Sequence, residues 1–261
     1  MSRQGPIRHA VITGASRGLG AALARQMAAP GRRLSLIARS EAGLQATAAA
    51  CQARGAEVAT RPQDVADAAG MAALLAAWEA ERAIDTLIAN AGISAGTTPD
   101  GAPESPEAAA QVVAVNLLGA IHLVQPMLPR LLTRGEGRIL LVGSVAGFLG
   151  LPDSPAYSAS KAGLWAYGEA LRAAHGPAGL RVLVAAPGFF ASGMSARYLG
   201  AHPLEVGVEA MAARLLRALR AGQGRVVTPW ALGALLRGLA LLPAPAADAL
   251  IRLGRFRIAP E

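Results

Sequence analysis

The chain predicts an α/β fold: one doubly wound domain with a mostly seven-stranded parallel sheet and helices on both faces. Three observations predict it. Short continuous apolar runs alternate with longer stretches at helical spacing, which is how strands buried on both faces read. No self-similarity appears at a period of roughly 20–50 residues, and no linker separates two composition regimes. The 261 residues, 53% hydrophobic and 16% charged, suit one large α/β unit. A chain of this size buries roughly three quarters of its unfolded surface and needs no disulfide or metal staple.

Each element follows in order. His9–Thr13 is an apolar run ending in a Gly-rich turn, hence a strand, and Leu19–Ala29 follows as a helix. Leu34–Ala38 is the second strand, then a polar turn and a helix to about Arg54. Glu57–Pro62 is a weaker strand, Ala66–Arg82 a helix and Asp85–Ala89 the fourth strand. Glu107–Arg134 reads as one long helix and Arg138–Val142 as a strand. Tyr157–His175 reads as a helix for which Ser154-Pro155 supplies a cap and a first-turn proline. Leu180–Ala185, a helix over Leu204–Ala221 and the strand Arg225–Thr228 complete the sheet. Residues 1–228 are therefore expected to form the sheet domain and 229–261 a helical extension of it. Pro243 and Pro245 divide that extension into helices near Ala231–Leu242 and Ala246–Arg257. Two loops rich in turn residues or apolar side chains, Ser94–Pro106 and Phe189–Pro203, follow the fourth and sixth strands. Ligands of open parallel sheets bind beyond the carboxyl ends of the strands, where both loops lie.

Composition excludes several classes. Positive mean hydropathy with low charge is the opposite of a disordered chain. Cys51 is the only cysteine and has no internal disulfide partner, which fits a reducing compartment. The N-terminus has no apolar signal core and no run reaches about 18 uninterrupted apolar residues, so a cytoplasmic chain is expected. His9, His122, His175 and His202 are scattered without ligand spacing, and no metal is expected. The arginines are not interleaved with aromatics in a nucleic-acid motif, and no nucleic-acid partner is expected. The net charge of +8 is concentrated late: Arg214 to Arg257 holds eight Arg against Asp248 alone. Leu, Ile and Phe alternate with Arg in the extension, a basic amphipathic pattern suited to peripheral contact with an anionic membrane. Packing on a neighbouring subunit or over a pocket fits the same pattern.

The first strand runs into Thr13-Gly14-Ala15-Ser16-Arg17-Gly18-Leu19-Gly20. Gly14 permits a tight turn, Gly18 lets backbone approach a pyrophosphate, and Gly20 lets the helix pack on the strand. The helix that follows aims its N–H groups and positive dipole end at that phosphate. Gly-rich strand-to-helix turns also occur for packing alone, but the position in the first βαβ unit favours a dinucleotide-binding turn. At the end of the second strand, Ala38-Arg39-Ser40, an NAD site usually places an acid on the ribose 2′-hydroxyl. Here no acid comes before Glu41, while Arg17 and Arg39 can meet a 2′-phosphate with planar forks, so NADP is expected over NAD.

Ser144, Tyr157 and Lys161 form the strongest constellation. Tyr157 and Lys161 stand at i and i+4 on one helix face, which brings an ammonium near a phenol. A neighbouring cation stabilises phenolate and lowers a pKa that is ordinarily near 10, the tuning a general acid/base needs. Ser144, at the end of the fifth strand, can donate to a carbonyl oxygen as charge develops there. The chain has three Tyr and one Lys. The chance that a lone Lys falls four residues after some Tyr is on the order of one in a hundred. Guanidinium replaces ammonium everywhere else in the chain, and only a compact ammonium both shifts its pKa readily and reaches ribose hydroxyls.

On these residues the chain resembles the short-chain dehydrogenase/reductase family, in its roughly 250-residue branch, over about residues 7–228. Residues 13–20 match the family's cofactor turn, and Asn90-Ala91-Gly92 its motif after the fourth strand. Asn116 falls where the family has its long-helix Asn. Ser144, Tyr157 and Lys161 match the catalytic set, including the 13-residue gap from Ser to Tyr. Pro187-Gly188 matches the motif after the sixth strand, with Ser192 where Thr is common. Asp64-Val65 sits where the family contacts adenine. Ala89 departs from the fuller Asn-Asn-Ala-Gly form, and Phe190 takes a position often held by a smaller aliphatic residue near the nicotinamide amide.

The resemblance implies hydride transfer between NADP(H) and a carbonyl or secondary alcohol. Tyr157 would give or take the proton, and Lys161 would lower its pKa while holding the nicotinamide ribose. Ser144 would orient the substrate oxygen, and Asn116 would hold a water relaying protons to Lys161. Cofactor contacts are expected from Gly14, Ser16, Arg17, Gly18, Leu19, Gly20, Arg39, Ser40, Asp64, Val65, Asn90, Ala91, Gly92, Tyr157, Lys161, Pro187, Gly188, Phe190 and Ser192. Phe189, Phe190, Met194, Tyr198 and Leu199 lie where the family closes over substrate, so an apolar ketone is the expected substrate. The family also implies a homodimer or homotetramer built through the helices near 107–134 and 157–175. A non-catalytic NADP-binding regulator is the alternative, although a sensor has no need of a tuned phenol. An epimerase or dehydratase of the extended relatives fits neither the turn spacing nor the length.

Overall fold

The computed structural model describes residues 5–96, 102–190 and 204–253. Seven strands form one sheet: β1 (His9–Thr13), β2 (Arg33–Ala38), β3 (Glu57–Pro62), β4 (Thr86–Ala89), β5 (Gly137–Val142), β6 (Leu180–Pro187) and β7 (Arg225–Thr228). They are parallel throughout, in the order β3-β2-β1-β4-β5-β6-β7. The chain steps outward from β1 to β3, returns to place β4 beside β1, then steps outward the other way. The order therefore reverses between β1 and β4, and a crevice opens beyond their carboxyl ends.

The helices are α1 (Gly18–Met27), α2 (Glu41–Gln52), α3 (Ala68–Glu81), α4 (Pro106–Val113), α5 (Gly119–Val124), α6 (Leu128–Arg134), α7 (Pro155–His175), α8 (Val208–Arg220), α9 (Trp230–Leu239) and α10 (Ala244–Leu253). Strand side chains alternate between two cores, as a pleat of period two requires. Ile12, Leu34, Leu36, Leu140 and Leu183 pack with α1 and α8 on one face. Val11, Ile37, Leu87, Ile139, Leu141 and Val184 pack with α3, α5 and α7 on the other. Each fully buried aliphatic side chain contributes about 1.5–3 kcal/mol relative to exposure.

Four sequence expectations need correction. Glu107–Arg134 is not one α-helix: α4 widens into a π turn at Ala114–Leu118, resumes as α5 and stops at Val124. Pro126 has no N–H with which to continue the ladder, and α6 starts afresh with Pro129 in its first turn. The stretch Pro106–Arg134 is long and apolar enough to cross a membrane, but half of its most apolar window is buried inside the fold. It is a core helix layer. Second, α8 begins at Val208, not Leu204, because Val206 pairs with Phe190 and Gly207 caps the helix in an extended conformation. Third, Ser154 does not cap α7; its hydroxyl donates to the Ala95 carbonyl at 2.9 Å. The N–H of Ala156 is taken instead by Glu104 Oε2 at 3.1 Å. Fourth, α10 starts at Ala244, two residues early; the expected end at Arg257 lies outside the described residues.

Candidate active site

The turn after β1 has the conformation its glycines allow. Gly14 has φ +66° and Gly18 φ +56°, both in the left-handed region that side chains avoid. A Cβ on Gly14 would sit 2.8 Å from Ala91 Cα, so the turn presses against the exit of β4. A Cβ on Gly20 would meet the Gly14 carbonyl oxygen at 2.2 Å, which is the close helix-to-strand packing expected of it. Around Gly18 nothing lies within 4 Å, so backbone faces open space there. Arg17, at the N-cap of α1, makes no side-chain cap. The first-turn N–H groups of α1 are thus left for a ligand, and the cradle fits a dinucleotide phosphate. Thr13 and Asn90 lock this turn to β4: Thr13 Oγ1 accepts from Asn90 N and Ala91 N at 3.1 Å. The Asn90 amide donates to the carbonyls of Thr13 at 3.1 Å and Gly14 at 3.2 Å. Asn90, expected to touch cofactor, spends its amide on holding the turn.

Arg17 and Arg39 are both exposed at the crevice, and among the described residues neither is ion-paired. Ser40 caps α2 by accepting from Gly43 N at 3.2 Å, and Asp64 Oδ1 accepts from Ala66 N at 2.9 Å.

Ser144, Tyr157 and Lys161 come together at the other end of the crevice. Ser144 ends the loop after β5 and caps the short turn Val145–Gly147, accepting from Ala146 N at 3.1 Å. The Tyr157 hydroxyl is hydrogen-bonded with Ser144. Lys161 Nζ is buried, donates to the Val142 carbonyl at 3.0 Å and lies 5.6 Å from the Tyr157 ring centre. Burial pushes the Tyr157 phenol above its ordinary value, with the Ser144 bond working against that rise. Burial likewise brings Lys161 down to about 8. In this site the phenol therefore stands above its ordinary value, burial outweighing the Ser144 bond.

Asn116 sits in the π turn, and its amide is occupied. Its Oδ1 accepts from Ile93 N at 2.8 Å, and its Nδ2 donates to Ile93 O at 2.9 Å and Ser160 Oγ at 3.1 Å. Ser160 Oγ in turn donates to the Tyr157 carbonyl at 2.7 Å. Asn116 therefore ties the exit of β4 to the helix turn that carries Tyr157 and Lys161.

A family model described as short chain dehydrogenase matches residues 8–201. The chain belongs to the short-chain dehydrogenase family. It is an oxidoreductase, and the family binds nicotinamide cofactors. It is 34% identical over 250 residues to an uncharacterized oxidoreductase of Myxococcus xanthus, covering 94% of this chain and 96% of the relative. It is 40% identical over 169 residues to a 3-dehydrosphinganine reductase of Arabidopsis thaliana, covering 63% of this chain and 50% of that one. Its fold superposes with a TM-score of 0.77 on a short-chain dehydrogenase from Sphingobium yanoikuyae solved with NADPH. That pair is 25% identical, covering 95% of this chain and 93% of the other.

In this short-chain dehydrogenase the crevice is one cavity of about 860 Å³ running from Arg17 and Arg39 to Tyr157 and Lys161. Most of the expected cofactor residues line it, among them Ser16, Leu19, Val65, Gly92, Gly188 and Phe190. Gly20, Asn116 and Pro187 do not; they stand behind the wall. Ser192, Met194, Tyr198 and Leu199 lie outside the described residues. Sequence reasoning missed Gly43, where a Cβ would meet Ser16 Cβ at 2.8 Å, so α2 can approach the cofactor turn only through a glycine. It also missed Leu232 and Leu236 of α9, which wall the catalytic end beside Phe190. In α9, Gly233 and Leu236 are buried against the fold, and Arg237 stacks 4.0 Å from the Phe148 ring centre and 4.9 Å from that of Trp165. A second hollow of about 590 Å³ separates α10 from the Phe148–Pro152 loop and the start of α7.

Proposed function

We propose that this chain is an NADP(H)-dependent carbonyl reductase acting on an apolar ketone. The observation that carries the reading is the half-buried Tyr157, hydrogen-bonded with Ser144, one helical turn from the only lysine, in a cleft whose other end presents Arg17 and Arg39. NADPH, when bound, supplies the hydride that reduces the carbonyl carbon. Ser144 donates to the carbonyl oxygen and holds it against the Tyr157 hydroxyl. Tyr157 delivers its proton to that oxygen as negative charge develops there. Its phenol is raised by burial and is fully protonated at neutral pH, the form a reductase needs at the start of the step. Lys161, charged below about 8, stabilises the phenolate left behind and is placed to hold ribose hydroxyls. The first-turn N–H groups of α1 would hold the cofactor's pyrophosphate, and Arg17 and Arg39 would hold its 2′-phosphate.

Leu232, Leu236 and Phe190 around the catalytic end favour an apolar substrate, in keeping with a relative named for reducing a 3-dehydro compound. An apolar ketone partitions into membranes, so peripheral membrane contact belongs to the same reading. So does a cytoplasmic homodimer or homotetramer, which light scattering coupled to gel filtration would test. The cofactor preference is tested by titrating NADPH and NADH into the wild type and into Arg39→Ala. A charge-assisted contact is worth about 1.5–3 kcal/mol, so NADPH affinity should fall roughly 10–100-fold with NADH affinity little changed. Equal losses for both, or tighter NADH binding by the wild type, would overturn the NADP assignment.

A further inference from the structure

We propose that the outer face of α9, with α10, is a docking surface for an anionic phospholipid membrane. From Val226 to Ala247 the chain carries a single charged side chain, Arg237. That guanidinium is stacked on the rings of Phe148 and Trp165. Leu232, Gly233 and Leu236 face the fold on one side of α9, and among the exposed residues of the helix Arg237 is the only polar one. Trp230 is 76% exposed, Leu235 58% and Leu241 87%, with Leu242 beside them. Surface helices place charged residues on the outer face; one that is apolar all round requires an apolar environment on its outer side as well. Ten residues are too few to span a bilayer, which needs about 20, so α9 lies in the interface plane.

Charge selects the occupant. Arg214 donates to Thr228 Oγ1 at 3.2 Å just before α9, and Arg252 of α10 is exposed at the hollow beside the Phe148–Pro152 loop. The chain continues beyond α10 as Gly254-Arg255-Phe256-Arg257-Ile258, again basic and apolar, and Asp248 is the only acid between Arg214 and Arg257. An apolar face carried by so basic a stretch matches anionic headgroups over acyl chains. A folded acidic partner would leave Leu241 and Trp230 unused, and a second copy of this basic surface would oppose like charges. The inner side of α9 walls the catalytic cleft, so docking would bring the cleft mouth to the membrane surface.

The test uses the full chain with vesicles of phosphatidylcholine alone and of phosphatidylcholine mixed with phosphatidylglycerol. The wild type should float with the mixed vesicles and bind them less at high salt. The triple variant Trp230→Ser, Leu235→Ser, Leu241→Ser should bind at least about tenfold more weakly. Its thermal melting and its turnover of a short soluble ketone should be unchanged. Acyl-chain bromination should quench part of the wild-type tryptophan emission and none of that part in Trp230→Phe. Absence of flotation, equal binding by the triple variant, or quenching that survives Trp230→Phe would overturn the proposal. It would also fall if neither protein bound vesicles and the triple variant dissociated a wild-type oligomer, since a second copy would then cover the face. The flotation and quenching readouts depend neither on which carbonyl compound is reduced nor on NADP preference; only the turnover control rests on the proposed function.

Discussion

Lys161 carries two opposite consequences of burial. Its amine is brought down to about 8 from an ordinary 10.5, so between those values the folded protein holds fewer protons than the unfolded chain. Stability from this residue therefore rises with pH across about 8 to 10.5, because folding no longer buries a charge. Activity should move the other way: kcat/KM for ketone reduction falls above about pH 8 as the ammonium beside Tyr157 is lost. A pH–rate profile run beside thermal melting checks both arms. A kcat/KM that is flat to pH 10, or that falls only with loss of fold, would remove Lys161 from the proton step. The pairing of Tyr157 with Lys161 was legible from spacing alone. The pKa directions were not, because they depend on how completely both groups are desolvated, and that is a property of the packed site.

At the scale of elements, the dinucleotide turn separates two glycines that look alike in sequence. Around Gly18 there is open space, so Gly18→Ala should cost only the left-handed penalty, about 1–2 kcal/mol. At about 2–4 °C per kcal/mol its melting point falls modestly, yet NADPH binding should drop at least tenfold because backbone can no longer approach the phosphate. Gly20→Ala drives a Cβ into the Gly14 carbonyl and should prevent soluble folding. Melting curves and NADPH titrations of the two variants check the contrast; similar behaviour of both would contradict it. Strand positions were readable to within a residue or two, since each strand is an apolar run bounded by turns. The break at Pro126 was equally readable, and the periodic apolar residues of Glu107–Arg134 hid it. The capping of α7 was not, because Glu104 lies 52 residues from the N–H it accepts.

Across the whole molecule, the amino-terminal edge of the sheet holds a buried histidine. His9 Nδ1 donates to the Arg82 carbonyl at 2.8 Å, and Nε2 accepts from Ser35 Oγ at 2.9 Å. Burial lowers its pKa below 6.5, with the neighbouring Arg33 and Arg82 adding to that effect. Its contribution to stability is complete above pH 6.5 and is lost as pH falls through the folded value, since the unfolded chain takes up the proton first. Melting temperature should therefore decline as pH falls below 6.5, and His9→Gln should flatten that decline even if it lowers the curve; an unchanged slope would contradict the assignment. The doubly wound order and the crevice at its switch point could be anticipated from strand-helix alternation. That α9 turns back to wall the crevice could not, because Leu232 and Leu236 pack with Val145 and Ala186 only through the fold. The central claim is reduction of a ketone by NADPH with Tyr157 as proton donor. Its most direct measurement is NADPH oxidation across ketones graded by chain length, for the wild type and Tyr157→Phe. The account predicts turnover that rises with apolar chain length and falls about 10²–10⁴-fold in Tyr157→Phe, with NADPH affinity retained. Tight NADPH binding without turnover of any ketone, or full activity in Tyr157→Phe, would contradict it.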